Sequence, residues 1–136
     1  MKFAFMKKII LVFILMLTSF SCSDKPTYLE CSIKSAEEEN KFSVYFDEAN
    51  GKITHSQPGG YAFNAEGFFA LDKITYQKID ITSGLKFIKR YEINRTNLSV
   101  IKTFSGSSIE FPDKIAPTIL KTNGSCKVVT KRNTKI

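Results

Sequence analysis

One histidine, three cysteines and a scatter of carboxylates are what this 136-residue chain offers to chemistry. His55 stands between Thr54 and Ser56, and with a distant carboxylate such as Asp72 or Asp80 it would make the base of a small hydrolase. That role requires convergence in space, and no Gly-x-Ser-x-Gly turn accompanies it. His55 follows the Asn50-Gly51 turn and precedes Pro58-Gly59-Gly60, a setting that predicts a ring at the domain edge. Its replacement by alanine is expected to leave folding and activity unchanged. Glu37, Glu38, Glu39, Asp47 and Glu48 would serve glycoside cleavage only as a fixed pair about 5 to 10 Å apart across a cleft. The stretch Ser35 to Lys41 reads more simply as an acidic surface loop. A single histidine excludes the two-histidine zinc protease signature, and there is no Cys-x-x-Cys. Neither a Walker loop nor a dinucleotide glycine fingerprint is present. No metal, cofactor or catalytic residue is therefore assigned, and the chain is read as non-enzymatic.

The cysteines divide unevenly. Lys2, Lys7 and Lys8 flank the apolar run Ile9 to Leu17, followed by Thr18-Ser19-Phe20-Ser21 and Cys22, the three-part layout of a secretory signal. The run is far shorter than the roughly 20 apolar residues that cross a bilayer. Residues 1–21 are thus expected to be a signal peptide, starting at Met1 or Met6, with two ways of cutting before Cys22. In a bacterial lipoprotein Cys22 becomes the first mature residue and carries lipid; Ser21 fits that pattern, while Ser19 and Phe20 replace its usual leucine and small residue. For an ordinary signal peptidase, Ser19 and Ser21 supply the small residues at the third and first positions before the cut. Cysteine economy favours the lipid, because three thiols in an exported domain would leave one unpaired. Cys31 and Cys126 are then expected to form a disulfide, with two buried free thiols as the other reading. The expected location is the bacterial cell envelope, lipid-anchored in the periplasm, or the exterior.

The elements that would position these residues are strands. Phe42, Val44 and Phe46 alternate with polar neighbours, as do Leu85, Phe87, Tyr91 and Ile93, and then Leu98, Val100 and Phe104. Leu29, Cys31 and Ile33 share one parity, which places the cysteine inward. Ile74 and Tyr76 keep one parity but Ile79 and Ile81 take the other, predicting a bulge or turn near Lys78. Asn50-Gly51, Pro58-Gly59-Gly60, Ser83-Gly84, Ser105-Gly106 and Asn123-Gly124 are read as turns between strands. The division expected is a signal over 1–21, a tether over 22–27, a single β domain over 28–131 and a basic tail over 132–136. The domain is expected to be all-β, an antiparallel meander of seven or eight strands curved into a small barrel or sandwich and stapled by one disulfide.

Charge narrows the partners. The whole chain carries +7, but the signal holds three lysines and no acid, so the mature part carries +4, within the range of ordinary soluble domains. No basic helix or compact Lys/Arg run marks a nucleic-acid surface, so nucleic acid is not expected as a partner. Twelve phenylalanines and five tyrosines, four of the phenylalanines within residues 1–21, are expected mostly in the core of a β domain this size. Tyr61, Phe63, Phe68 and Phe69 cluster in a Gly-rich segment and serve either the core or an exposed patch. Arg95 sits in the turn Ile93-Asn94-Arg95-Thr96-Asn97-Leu98, as an anion contact or as part of the turn. Tyr61, Phe63, Arg90 and Arg95 are the candidate contacts for a ligand or partner.

The Cys31 region, the hairpin over Asp47 to Lys52, Leu71 to Tyr76, Tyr91 to Leu98 and Gly124-Ser125-Cys126 form a succession along most of the mature chain. It resembles the small uncharacterised exported β proteins of marine bacteria and their phages, with Asn97 standing where that pattern carries glycine. The resemblance implies a stapled β domain and says nothing of an activity. The function expected is an exported, lipid-anchored, non-enzymatic envelope module that binds the membrane through Cys22 and an unknown envelope protein or ligand. The alternative is an inhibitor of an extracellular hydrolase, since small disulfide-stapled lipoproteins resemble lysozyme-inhibitor families, although a charge of +4 would repel a cationic lysozyme. A small hydrolase using His55 is the remaining reading.

Overall fold

The computed structural model describes residues 27–130. The signal, Cys22 and the basic tail expected over 132–136 lie outside the described residues. Nine strands run β1 Thr27–Lys34, β2 Glu39–Asp47, β3 Lys52–Ser56, β4 Ala62–Glu66, β5 Phe68–Phe69, β6 Lys73–Thr82, β7 Leu85–Asn94, β8 Ser99–Ser108 and β9 Thr118–Val129. They form one antiparallel sheet in the order β4-β3-β2-β1-β9-β8-β7-β6-β5. Only Gly67 separates β4, paired with β3, from β5, paired with β6, so a single bent segment joins the two edges. The result is a nearly closed, barrel-like meander of the kind expected. Between β4 and β6 the ladder is interrupted, and side chains fill the interval. Phe63 lies 6.4 Å from Tyr76 between ring centroids, and Lys78 bonds the Tyr61 hydroxyl.

Turn chemistry sets the registers. Asp47 caps the short 3-10 turn Glu48–Asn50 by accepting from the Asn50 amide, and Gly51 ends it at φ 65°. Ser83 and Gly84, at φ 50° and 73°, make the two-residue turn that folds β6 onto β7. In the next hairpin Asn94 Oδ1 accepts from the amides of Thr96 and Asn97, and Asn97 Oδ1 accepts from Ser99. These side chains close the loop as the sequence predicts, while the left-handed residue is Leu98, at φ 58°.

Two glycine dipeptides read as turns are strand interior. Asn123-Gly124 lies within β9, and Ser105-Gly106 within β8. At Gly124 a Cβ would stand 2.2 Å from the Ser32 carbonyl oxygen, so glycine serves close approach of β1 to β9 there and makes no bend. The bulge predicted near Lys78 is also absent: β6 and β7 pair without interruption from Lys73↔Asn94 to Thr82↔Leu85. The parity change is real but chemical, since Lys78 and Asp80 continue the inward row of Ile74 and Tyr76 while Ile79 and Ile81 face outward.

Cys31 and Cys126 form the expected disulfide. They are direct partners on the first and last strands, with Cα atoms 4.0 Å apart, and the Cys126 amide turns away to the Leu98 carbonyl. That is the close, non-hydrogen-bonded site of an antiparallel ladder. Around it the core gathers Leu29, Ile33, Phe42, Val44, Phe46, Ile53, Ile74, Tyr76, Tyr91, Ile93 and Val100. Each such side chain removed from water contributes about 1.5–3 kcal/mol against the entropy of ordering the chain.

Candidate functional site

Within this core lies the chain's one histidine. His55, expected at the domain edge, is on β3 with no exposed surface, because strand pairing carries Thr54 and Ser56 outward and turns the ring in. Phe42 stacks on one side at 4.5 Å and 14°, and Phe63 on the other at 4.7 Å and 18°. Nδ1 shares a 2.7 Å hydrogen bond with the Tyr76 hydroxyl, and Tyr76 stacks in turn on Tyr91 at 4.9 Å. Burial holds the imidazole pKa down at about 4, helped by the charges of Lys102, Lys89 and Lys78. Burial also pushes Tyr91 up to about 12 and holds Tyr76 well above its usual value, the latter with a contribution from Tyr91, so both remain neutral phenols. Nε2 of His55 is buried with no hydrogen-bond partner among the described residues. Such an orphan costs about 1–3 kcal/mol and calls for an explanation.

The three lysines that act on His55 occupy consecutive strands. Lys78 follows Tyr76 on the inward row of β6, Lys89 precedes Tyr91 on that of β7, and Lys102 follows Val100 on that of β8. Lys78 and Lys89 are direct cross-strand partners, and Lys102 is opposite Tyr91, one inward step from Lys89. Lys78 lies 4.7 Å from the centre of the Tyr61 ring and 5.4 Å from that of Phe63, bonds the Tyr61 hydroxyl and pairs with Asp80 at 3.5 Å. Among the described residues neither Lys89 nor Lys102 has a carboxylate partner. Burial lowers the pKa of Lys102, and the charge of Lys89 lowers it further. Beyond the lysines the inward row continues with Phe87 and Phe104, stacked at 5.8 Å, and with Leu120. Lysines and phenylalanines alike are half-buried. This part of the sheet reaches past β1, which pairs β9 only from Gly124 onward. Along that stretch β9 pairs only with β8.

Of the four contacts expected from sequence, the structure brings two together. Tyr61 and Phe63 meet at 6.4 Å and face Lys78. Arg90 is exposed on the outward row of β7. Arg95 lies beyond the far end of that strand, where its guanidinium donates to both Glu48 carboxylate oxygens, at 3.0 and 2.9 Å, and to the Ala70 carbonyl. That clamp holds Glu48 below the usual carboxylate range. It ties the 3-10 turn to the β7–β8 hairpin, so neither Arg90 nor Arg95 stands beside Tyr61 and Phe63. Of the groups the hydrolase reading would join to His55, Asp80 is engaged by Lys78, and Thr54 and Ser56 lie on the outward row of β3. No group of three or more His, Cys, Asp or Glu side chains that could hold a metal occurs among the described residues.

Sequence reasoning missed Lys78, Lys89 and Lys102. Each interrupts an apolar alternation, and the Ser83-Gly84 turn by itself puts 78 opposite 89. A separate groove of about 620 Å³ crosses β1, β2 and β9 near Pro58. Lys127 pairs with Glu30 at 3.4 Å, and Ser32 donates to Glu39 at 2.8 Å. Comparison with protein-family models, curated proteins and solved structures finds no match for this chain.

Proposed function

We propose that this chain is an exported, lipid-anchored, non-enzymatic binding module of the bacterial envelope, and that its ligand enters the open part of the barrel. One observation carries the binding role: the inward row turns from packed apolar residues to Lys78, Lys89 and Lys102 on three adjacent strands, opposite Tyr61 and Phe63. A fold needs no cations there, whereas a concave wall with a few convergent polar groups is what small-molecule sites are made of. The signal-like layout before Cys22 supports export and anchoring. The Cys31–Cys126 disulfide supports an oxidising compartment. Sealing of His55 between two phenylalanines supports a role in structure rather than in turnover.

The test is expression of the full chain with its own leader in a bacterial host. The intact mass of the membrane fraction should show a chain beginning at lipid-modified Cys22, and Cys22→Ser should move the protein to the soluble fraction. Native mass spectrometry of that soluble form should show a retained small molecule. An unmodified Cys22, or a cut elsewhere, overturns the anchor; a native mass equal to that of the bare chain overturns the binding role.

A further inference from the structure

We infer that the open part of the barrel takes an amphipathic anion, its oxyanion head among Lys78, Lys89 and Lys102 and its apolar body along Phe87 and Phe104. This names the ligand class for the site proposed above and rests on that reading.

Three features point the same way. The first is the direct pairing of Lys78 with Lys89 on an inward face. Like charges directly opposite destabilise a sheet, and Asp80 answers only Lys78. Lys102, one step away and partly desolvated, adds to the repulsion, as its depressed pKa reflects. An anion placed between these strands would relieve all three ammonium groups together, with the strength that charge-assisted bonds gain away from bulk water.

The second feature is the buried histidine. His55 is wholly buried and its Nε2 lacks a partner, while Nδ1 is held by Tyr76. The charges of all three lysines reach this ring. When the Tyr76 hydroxyl donates to Nδ1, Nε2 carries the proton and is left as an unpaired donor within the core. The Tyr61 hydroxyl, which accepts from Lys78, is a neutral donor beside that lysine.

The third feature sets the rest of the ligand. Past the lysines the wall offers the stacked Phe87 and Phe104 rings and Leu120, with Gly106 so close to Phe87 that an added Cβ would stand 3.3 Å from the ring. Phe63 and Tyr61 stand across from Lys78. A free inorganic anion would leave this apolar surface wet, whereas an attached alkyl or aryl body would cover it, at about 25 cal/mol for each Å² removed from water.

Calorimetric titration of the mature Cys22→Ser chain separates the possibilities, with octanoate, octyl phosphate, octanol and inorganic phosphate as probes below their aggregation concentrations. Octanoate or octyl phosphate should bind at least tenfold more tightly than octanol and than inorganic phosphate, and whichever of the two is tighter identifies the head as carboxylate or phosphate. Raising the salt should weaken that binding. Lys89→Met and Lys102→Met should each weaken it by about tenfold, the equivalent of about 1.4 kcal/mol. Neither variant is expected to unfold, because each removes a repelled charge. Octanol binding as tightly as octanoate would overturn the anion while leaving a binding module in place. Inorganic phosphate binding as tightly as octyl phosphate would overturn the apolar body. Failure of every probe would overturn the ligand class, and the retained mass in the native measurement then judges the module separately.

Discussion

The two ends of the barrel are made of the same alternating strands, yet only one is finished as a protein interior. Towards Asn94, β6 to β8 place Ile74, Ile93 and Val100 inward, all with at most 1% exposure, and β1, β9 and the disulfide close over them. Towards Ser83 the same strands place Lys78, Lys89 and Lys102 inward, half-buried, while isoleucines 79 and 81 go to the outer surface. Exchanging inner and outer residues along that stretch would give an ordinary packed end, so packing does not account for the order found. What differs between the ends is which groups remain to be satisfied. One is complete without anything else, and the other holds surplus positive charge and an unpartnered histidine nitrogen. His55 marks the boundary, with core rings around it and lysines within electrostatic reach.

The finished end should be the easier to break. Replacing Cys31 and Cys126 by serine frees a closure spanning 95 residues, the first strand against the last, and should cost up to about 4–5 kcal/mol by loop entropy. Urea denaturation of the oxidised protein and the double variant measures this directly. A loss below about 1 kcal/mol would mean that the β1–β9 ladder holds without its staple, and the contrast between the ends would weaken accordingly.

The boundary should respond to acid as well as to mutation. His55→Ala removes a buried ring from between Phe42 and Phe63 and leaves the Tyr76 hydroxyl without its bond, so a loss of about 2–4 kcal/mol is expected, against the neutral outcome expected from sequence. Tyr76, Tyr91 and the three lysines are the titratable groups around this ring. The folded pKa of about 4 lies below the ordinary 6.5, so the unfolded chain binds the proton more readily and stability falls as the pH drops. The fall begins near pH 6.5, levels off below about 4, and amounts to about 3 kcal/mol at 1.36 kcal/mol per unit. Glu39 and Glu48, both held below their usual 4.5, add their own acid sensitivity only at lower pH. Denaturation midpoints between pH 7 and 5 therefore isolate the histidine. His55→Phe should abolish the slope in that interval, and a slope that survives would place the proton elsewhere.

Much of the finished end was legible in the sequence, and little of the open end was. Inward rows such as Leu29-Cys31-Ile33 and Phe42-Val44-Phe46 announce themselves through period two, and the odd cysteine count marks the pair that closes the seam. Gly124 misled because Asn-Gly is ordinarily a turn, while here a Cβ would collide with the Ser32 carbonyl of the neighbouring strand, a contact 92 positions away in sequence. His55 misled because the Asn50-Gly51 and Pro58-Gly59-Gly60 turns flank it, yet the five residues from Lys52 to Ser56 suffice for a central strand. Inward lysines are hardest to see. A pattern reader takes Lys78 as a slip in register, because charge on an inward row contradicts the apolar rule that identified the row.

The smallest expected effect asks whether the open end is imperfect for the sake of binding. If Lys78 and Lys89 repel across the ladder, Lys89→Met should stabilise the ligand-free protein, because the methionine keeps the length of the side chain and covers Phe104, the partner of residue 89 on β8. The gain expected is about 0.5–1 kcal/mol, within the usual range for cross-strand pairs. Lys73→Met is the matched control on β6: its ammonium lies 3.1 Å from Glu92 in a partly exposed pair, and its removal should bring no gain. Urea midpoints at low and high salt separate the two further, since screening should shrink the benefit of Lys89→Met. A gain confined to position 89, coupled to weaker octanoate binding, would identify the lysine pair as stability given up for a ligand. Equal effects at 73 and 89 would reduce it to surface charge.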